Sequence, residues 1–197
     1  MYGMDMHNIQ LEYAKQFWEA YPDVRKIFMT QFNDNHEFSG ELIKYNDEDF
    51  LNFFTYFREK GYLSNTQFLI MSDHGQHFIV SHTPIYPDDS RFQENYLPLL
   101  IFLTPKDIPA KNLAFLKNNQ QHFVNSHDVY ATLKSIAVGK RAGAEGLNDF
   151  ALNYEKLPSG RDCTDSKDIT YFDCWCQLNI TKFYEQKNKL GYFYVAY

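Results

Sequence analysis

The chain has 197 residues and a formal net charge of −6 at pH 7, and aromatic residues make up 18% of it. This length suits one domain with a hydrophobic core or part of a larger domain, and the aromatic content argues against intrinsic disorder. The acidic balance argues against nonspecific nucleic-acid binding, which requires a basic surface. No run of about 18 apolar residues is present, so no transmembrane helix is expected, and the first residues lack the features of a signal peptide.

Helical and strand patterns alternate in the first part of the chain. Residues 8–20 have the spacing of an amphipathic helix. Its predicted apolar stripe is Ile9, Tyr13, Phe17 and Trp18. Residues 25–32 predict a strand, which is followed by a polar segment over residues 33–37. A second helix is predicted from Asn46, with acidic residues in its first turn and Gly61 as its C-terminal cap. The apolar stripe of this helix is Phe50, Phe53, Phe54 and Phe57.

Two continuous apolar runs follow and predict buried strands. They lie at residues 67–72 and 97–103, separated by a polar loop over residues 76–95. A last helix is predicted from a cap at Ser126 to Gly139. Its apolar stripe is Val129, Leu133 and Ile136.

The order of these elements predicts an α/β fold with a mostly parallel sheet. Strands alternate with helices, and continuous apolar strands are typical of sheets that are covered on both faces. We therefore expect an α/β domain over residues 1–140. Residues 141–197 are expected to form a cysteine-containing C-terminal extension. Residues 139–170 predict surface loop, and residues 190–197 predict a short edge strand.

Polar clusters at two strand ends form the candidate site. Asp73 and His74 directly follow the strand of residues 67–72. The second cluster follows the first predicted strand and consists of Asp34, His36 and Glu37. Neighbouring parallel strands end at the same edge of a sheet, where α/β proteins bind ligands. Carboxylates and imidazoles are the usual ligands of zinc and similar ions, so the sequence predicts a divalent metal site here.

Plainer interpretations of these clusters stay open. The first cluster also fits a turn in which the aspartate caps the next segment, and the second also fits a solvated loop. His82, in the polar loop, is a further candidate that competes with a merely exposed histidine. His7 and His122 are expected at the surface. No Ser, Thr or Cys stands out as an activated nucleophile.

The three cysteines are confined to the last fifth of the chain. Cys174 and Cys176 are too close together for an ordinary disulfide, so Cys163 is expected to pair with either of them; metal ligation is the alternative. Asn179 opens an Asn-Ile-Thr glycosylation sequon. These features favour a secreted or lumenal protein, although the N-terminus offers no signal peptide. The chain is therefore expected to be cytosolic or the C-terminal part of a longer precursor.

Three sequence blocks carry a family resemblance. They are residues 66–75 (Thr-Gln-Phe-Leu-Ile-Met-Ser-Asp-His-Gly), residues 93–105 (Gln-Glu-Asn-Tyr-Leu-Pro-Leu-Leu-Ile-Phe-Leu-Thr-Pro) and residues 127–133 (His-Asp-Val-Tyr-Ala-Thr-Leu). In this order they resemble the alkaline phosphatase superfamily, which includes sulfatases, phosphodiesterases and lipid-headgroup phosphotransferases. The chain is most similar to an uncharacterised eukaryotic sulfatase-like family, a domain of unknown function described as extracellular or membrane-associated. That family ends in Arg-x-Cys and Trp-Cys-x-Cys-like segments, to which Arg161-Asp-Cys163 and Cys174-Trp-Cys176 are similar.

The resemblance implies a metal-dependent hydrolase or transferase of phosphate or sulfate esters with an alkaline phosphatase-like three-layer sandwich. It assigns Asp73 and His74 to the metal that activates the nucleophile. It assigns His36, with Asp34, to a second metal or to the phosphoryl or sulfuryl oxygens of the substrate. It assigns His82 to the same phosphoryl or sulfuryl group. Zinc is the expected metal, with calcium and manganese as alternatives.

The superfamily's nucleophile and first metal-binding acid lie upstream of the blocks that match. We therefore expect this chain to be the C-terminal half of a hydrolase domain that lacks its N-terminal strands and is inactive alone. The competing hypothesis is a non-catalytic α/β module that binds a partner through its aromatic surface. The sequence leaves the oligomeric state open.

Overall fold

The computed structural model describes residues 5–34, 36–37, 40–75, 97–120, 122–143 and 149–165. Over these residues it contains four α-helices and two β-strands. They are α1 (Met6–Ala20), α2 (Asn46–Glu59), β1 (Phe68–Met71), β2 (Leu100–Leu103), α3 (Ala110–Asn119) and α4 (Ser126–Val138). The chain divides into two compact units, Met1–Lys106 and Asp107–Tyr197. None of the described helices combines the length and apolarity needed to cross a bilayer.

An aromatic core between α1 and α2 organises the first unit. Phe57 is fully buried, and Phe53, Leu11 and Ala14 complete the buried cluster. The ring of Phe57 lies 4.5 Å from that of Phe53 and 5.4 Å from that of Phe68 in β1, measured between centroids. Because aromatic side chains bury large apolar areas, these contacts hold β1 against α2.

The two helices predicted for this unit are confirmed, but the predicted stripe of α1 is only partly on its buried face, since Trp18 packs against the core and other members do not. Ile9 and Tyr13 are exposed. The buried residues of α1 are His7, Leu11 and Ala14, which repeat at i, i+4 and i+7. The predicted stripe of α2 is confirmed, with its four phenylalanines buried or packed against the core. Gly61 follows α2 with φ +74°, the left-handed conformation expected of a helix-ending glycine.

The two described strands pair in the direction opposite to the predicted one. β1 and β2 are antiparallel, with Phe68 opposite Leu103 and Met71 opposite Leu100. The mixed helix and strand composition is confirmed, but this strand pair is not the parallel arrangement that the sequence predicted. Apolar runs reveal where buried strands lie, whereas their direction depends on how the chain returns between them. The three-layer sandwich stays a prediction.

Residues 25–32 are irregular, so the predicted strand over this segment is wrong. Their side chains nevertheless alternate as in a strand. Phe28 and Phe32 pack against the core, whereas Ile27 and Met29 are 73% and 91% exposed. The alternation of core-packed and exposed side chains therefore arises because this segment is extended and packs along the core. It does not require that the segment pair with another strand.

A buried polar stripe on α4 organises the second unit. Asp128, Thr132 and Ser135 follow one another at i, i+4 and i+7, and all three are fully buried. Thr132 Oγ1 accepts a hydrogen bond of 2.8 Å from the amide of Leu152. Ser135 Oγ accepts a 2.7 Å hydrogen bond from the amide of Ala142 and donates a 2.7 Å hydrogen bond to the carbonyl of Ala142. The helix predicted from Ser126 to Gly139 is confirmed, but polar groups share its buried face.

Residues 149–157 are mostly buried, which corrects that part of the surface loop predicted over residues 139–170, whereas residues 139–141 and 158–160 are exposed. Leu157 is almost completely buried. Asn119, at the end of α3, donates 3.0 and 2.8 Å hydrogen bonds to the carbonyls of Leu152 and Glu155 and accepts one of 3.0 Å from the amide of Leu157. The polar composition of this segment predicts exposure. Here, however, polar side chains form hydrogen bonds with the backbone groups of a buried segment. The domain boundary after residue 140 stays a prediction.

Asn125, rather than the predicted Ser126, caps α4. Its side chain accepts a 3.0 Å hydrogen bond from the amide of Asp128, and Asp128 Oδ2 accepts one of 2.9 Å from the amide of Asn125. We expect Asn125→Ala to lower the free energy of unfolding by about 1 kcal/mol, measured by urea denaturation, because helix amides lose their acceptor. Ser126→Ala is the matched control and should leave stability almost unchanged. Equal losses in both variants would contradict this assignment.

Candidate metal centre

Asp73 and His74 leave the sheet directly after β1. Ser72 fixes the strand end: its amide donates to the carbonyl of Leu99 at 3.0 Å, and its Oγ accepts from the amide of Leu99 at 2.9 Å. Asp73 Oδ1 accepts a 3.0 Å hydrogen bond from the backbone amide of His74. His74 Nδ1 lies 2.7 Å from the carbonyl oxygen of Gly75, and its Nε2 lies 3.5 Å from Asp73 Oδ2.

The contact with Gly75 indicates which ring nitrogen of His74 carries a proton and which one is left to act as a ligand atom. A carbonyl oxygen only accepts hydrogen bonds, so Nδ1 is the donor and Nε2 carries either a lone pair or a second proton. Two ligands that each lie about 2.0–2.1 Å from one tetrahedral zinc stand roughly 3.4 Å apart. The observed 3.5 Å therefore fits a shared metal ion. It also fits an ion pair between a protonated imidazole and the carboxylate.

The electrostatics of Asp73 favour the charged carboxylate that a metal requires. The backbone hydrogen bond from His74 is the largest influence and lowers the pKa of Asp73 below its ordinary value. Electrostatic interactions with His74 and His36 lower this pKa further. His36, from the second predicted cluster, is thus close enough to Asp73 to act on it. The two clusters do not form a group of three metal-binding side chains within the described residues, so their meeting in one metal site stays a prediction.

Asp34 has a partner that the sequence did not predict. Its Oδ1 lies 3.4 Å from Nδ1 of His7, and Nε2 of His7 lies 2.9 Å from Asp49 Oδ2. His7 is only 3% exposed, so its predicted surface location is wrong. Asn8 also donates to Asp49 Oδ2, at 3.0 Å. A buried imidazole therefore bridges two carboxylates, one from the polar segment and one from the first turn of α2.

The second oxygen of Asp34 is the unusual atom of this arrangement. Oδ2 is buried and has no hydrogen-bond partner among the residues that the structure describes. A buried carboxylate oxygen without a partner is costly, and bound cations are among the groups that remove this cost. Within the described residues, Asp34 is not grouped with Asp73 and His74 as a set of metal-binding side chains, so its predicted ligand role stays a prediction.

Charge balance explains why His7 is tolerated in a buried position. Burial opposes protonation of the ring, but the hydrogen bonds to Asp49 and Asp34 and their negative charges outweigh it and raise the pKa of His7. In turn, the hydrogen bond with His7 is the largest influence lowering the pKa of Asp49. An imidazolium between two carboxylates is compensated in a way that a lone buried histidine is not.

Glu37 has a structural role in the described part of the chain. Its Oε1 accepts hydrogen bonds from the amides of Glu41, at 2.8 Å, and Leu42, at 3.3 Å. These amides open the short 3₁₀ helix Leu42–Tyr45 that leads into α2. Glu37 therefore ties the end of the polar segment to the start of the next helix.

Comparison with known proteins places the chain in a family. The family model described as "Protein of unknown function (DUF229)" matches residues 2–190. The chain belongs to the DUF229 family. This family is sulfatase-like, which agrees with the coarser part of the resemblance noted in the sequence. No curated protein and no solved structure matches the chain.

In this DUF229 chain, the part of the site that the structure describes is incomplete. Within the described ranges, no three or more His, Cys, Asp or Glu side chains are grouped so that they could hold a metal ion. Asp73 and His74 lie 3.5 Å apart as a pair, and their predicted role as metal ligands stays a prediction. The remaining predicted residues of the site and of the extension lie outside the described residues: His82, Cys174, Cys176 and Asn179.

The Arg-x-Cys residues of the DUF229 chain are buried in the second unit. The guanidinium of Arg161 forms a bidentate ion pair with the carboxylate of Asp128. Nη1 lies 2.7 Å from Oδ2, and Nη2 lies 3.2 Å from Oδ1. Their side chains are 2% and 0% exposed. The ring of Phe150 lies 4.9 Å from the guanidinium carbon. Arg161 therefore anchors the extension to α4, while the predicted disulfide of the buried Cys163 stays a prediction.

Proposed function

We propose that this chain carries part of the metal site of a hydrolase or transferase that acts on phosphate or sulfate esters. The 3.5 Å separation of His74 Nε2 and Asp73 Oδ2 is the observation that carries the proposal, because it fits two ligands of one ion. The lowered pKa of Asp73 and membership of a sulfatase-like family support it. Zinc is the proposed metal, with calcium and manganese as alternatives.

Each proposed residue has a separate task. Asp73 and His74 bind the ion, and the hydrogen bond from Nδ1 to Gly75 keeps the ring oriented, as the outer contacts of metal-binding histidines commonly do. His36 orients the transferred phosphoryl or sulfuryl group through charge, Asp34 provides a further ligand oxygen, and His82 contacts the substrate. A metal held by Asp73 and His74 would polarise the ester and lower the pKa of the nucleophile.

The proposal extends to the parts of the enzyme that these motifs do not supply. The resemblance places the nucleophile upstream of them, so we propose that the chain alone does not turn over substrate. We also propose an extracellular or lumenal location, with a disulfide between Cys163 and Cys174 or Cys176 and a glycan on Asn179. The clustered cysteines and the sequon support this location.

Isothermal titration with zinc tests the Asp73–His74 pair directly. We expect the wild-type chain to bind zinc and Asp73→Asn/His74→Gln to bind at least about ten-fold more weakly, because both ligand atoms are replaced. His122→Gln is the matched control, since Nδ1 of His122 also contacts a backbone carbonyl, that of Asn118, at 2.9 Å. The control should bind zinc as the wild type does. A well-folded wild type without affinity for zinc would overturn the proposal.

A non-catalytic binding module is the second candidate. The exposure of Ile27 and Met29 favours it, because neighbouring exposed apolar side chains often mark interaction surfaces. Under this alternative, Asp73 and His74 form only an ion pair. The same titration separates the two candidates, since the binding module requires no metal affinity that depends on this pair.

A further inference from the structure

We propose that residues 25–33 pair with the same segment of a second copy of this chain, as two antiparallel strands. The twofold axis of the resulting dimer passes through Met29 of both copies. This pairing needs no metal, so it is independent of the function proposed above.

The first support is the backbone of this segment. Residues 25–32 lie extended along the core and belong to no sheet that the structure describes. Among the described residues, the one hydrogen bond to their backbone runs from Gln10 Nε2 to the carbonyl of Gln31, at 2.9 Å. A row of backbone N–H and C=O groups without ladder partners is the feature by which an edge strand binds another strand. The segment therefore has the backbone of an edge strand before any partner is present.

The second support is that the core already holds the segment in place. The ring centroid of Phe28 lies 5.8 Å from that of Tyr13 and 5.6 Å from that of Phe17. The ring centroid of Phe32 lies 5.1 Å from that of Phe50. Because these contacts fix the core-facing side, the segment loses little conformational freedom when it pairs, and this lowers the cost of association.

The third support is the outward side of the segment. Ile27 and Met29 are large apolar residues, and both are highly exposed. Free edges are commonly protected by a proline or by an outward-pointing lysine. Residues 25–33 contain no proline, and the charged residue on their outward side is Arg25, at one end. The centre of the segment is therefore an apolar edge without these protections.

The fourth support is the charge pattern, which favours a second copy in the antiparallel direction. Arg25 and Lys26 stand at the start of the segment, and Asp34 follows its end. Antiparallel pairing about Met29 brings the basic start of each copy to the acidic end of the other. A parallel pair in register would instead place Arg25 opposite Arg25, and like charges directly opposite each other are destabilising. An axis through a residue also keeps the outward sides of both copies on one face, because side chains alternate along a strand.

Analytical ultracentrifugation over a range of protein concentrations tests the proposal. Two short paired segments bury less than the roughly 1,200 Å² of a stable interface, so we expect a weak dimer that becomes more populated as the concentration rises. Met29→Glu sets two like charges at the axis and should raise the dissociation constant at least about ten-fold. Leu51→Glu is the matched control, because Leu51 is also an exposed apolar residue but is on α2. The control should keep the wild-type dissociation constant.

A mixture of complementary variants tests the register. Met29→Lys alone should dimerise as poorly as Met29→Glu. An equimolar mixture of the two should dimerise more strongly than either alone, because opposite charges then face each other across the axis. Both variants should keep the wild-type circular dichroism spectrum, because Met29 is 91% exposed.

Three outcomes would overturn the inference. They are a wild type that stays monomeric at every concentration, equal losses in Met29→Glu and Leu51→Glu, and a mixture that dimerises no better than its components. None of these measurements involves zinc, so each outcome would leave the proposed function standing. Conversely, failure of the zinc titration would leave the dimer unaffected.

Discussion

Phe57→Ala is expected to lower the free energy of unfolding by about 3–5 kcal/mol, the range for large-to-small changes at fully buried aromatic positions. Phe57 is completely buried. Its ring centroid lies 4.5 Å from Phe53, 5.4 Å from Phe68 and 5.6 Å from Trp18. These rings come from α2, β1 and α1, so no single one can move into the vacated volume without disturbing another element. The substitution therefore leaves a cavity as well as removing apolar contact.

Urea unfolding followed by circular dichroism measures this effect. Leu51→Ala is the matched control, because Leu51 is on the same helix, is 63% exposed and should lose no more than about 0.5 kcal/mol. A loss of similar size in the two variants would show that the aromatic cluster does not determine the stability of the first unit. Phe57→Ala should also weaken zinc binding, because β1 carries Asp73 and His74 and packs on Phe57 through Phe68.

Asp128→Asn is expected to lower the free energy of unfolding of the second unit by about 3–5 kcal/mol, the range for breaking a buried ion pair. The carboxylate accepts two hydrogen bonds from Arg161 and one each from the amides of Asn125 and Phe150. An amide of the same shape has only one oxygen to accept them. The guanidinium of Arg161 then remains buried without its compensating charge.

A double-mutant cycle separates the pair from its surroundings. Asp128→Asn/Arg161→Met should be less destabilised than the sum of the single variants, with a coupling energy of about 0.5–3 kcal/mol. The control is Lys44→Met, which removes the exposed pair with Glu41 and should cost no more than about 1 kcal/mol. If the free energy of unfolding of Asp128→Asn lies within about 1 kcal/mol of the wild-type value, the pair does not have the structural role inferred for it.

Features with a local signal were predicted well from the sequence. The helices α1, α2 and α4 were found from their periodicity, and Gly61 and Gly139 were found as helix ends because both need a positive φ. The predicted ligand role of Asp73 and His74 rests on the same kind of local signal, an adjacent pair after an apolar strand, and stays a prediction. A signal for His7 was also present: it lies four residues before Leu11, on the face that α1 buries.

Features that depend on distant residues were missed. The antiparallel direction of β1 and β2 is not encoded in either apolar run, and the alternation of residues 25–32 does not reveal whether a partner strand is present. The burial of Asp128 depends on Arg161, which lies 33 residues away. The contacts of His7 lie 27 and 42 residues away. Helix α3, which begins after Pro109, was also not recognised.

The buried polar stripe of α4 has a consequence for the order in which the chain folds during synthesis. Thr132 and Asn119 bond to backbone groups that lie 20 to 38 residues further along the chain. Until those residues leave the ribosome, Asn119 and the acceptor oxygen of Thr132 lack these backbone partners. We therefore expect α3 and α4 to complete their native packing only after residues 149–161 have been synthesised.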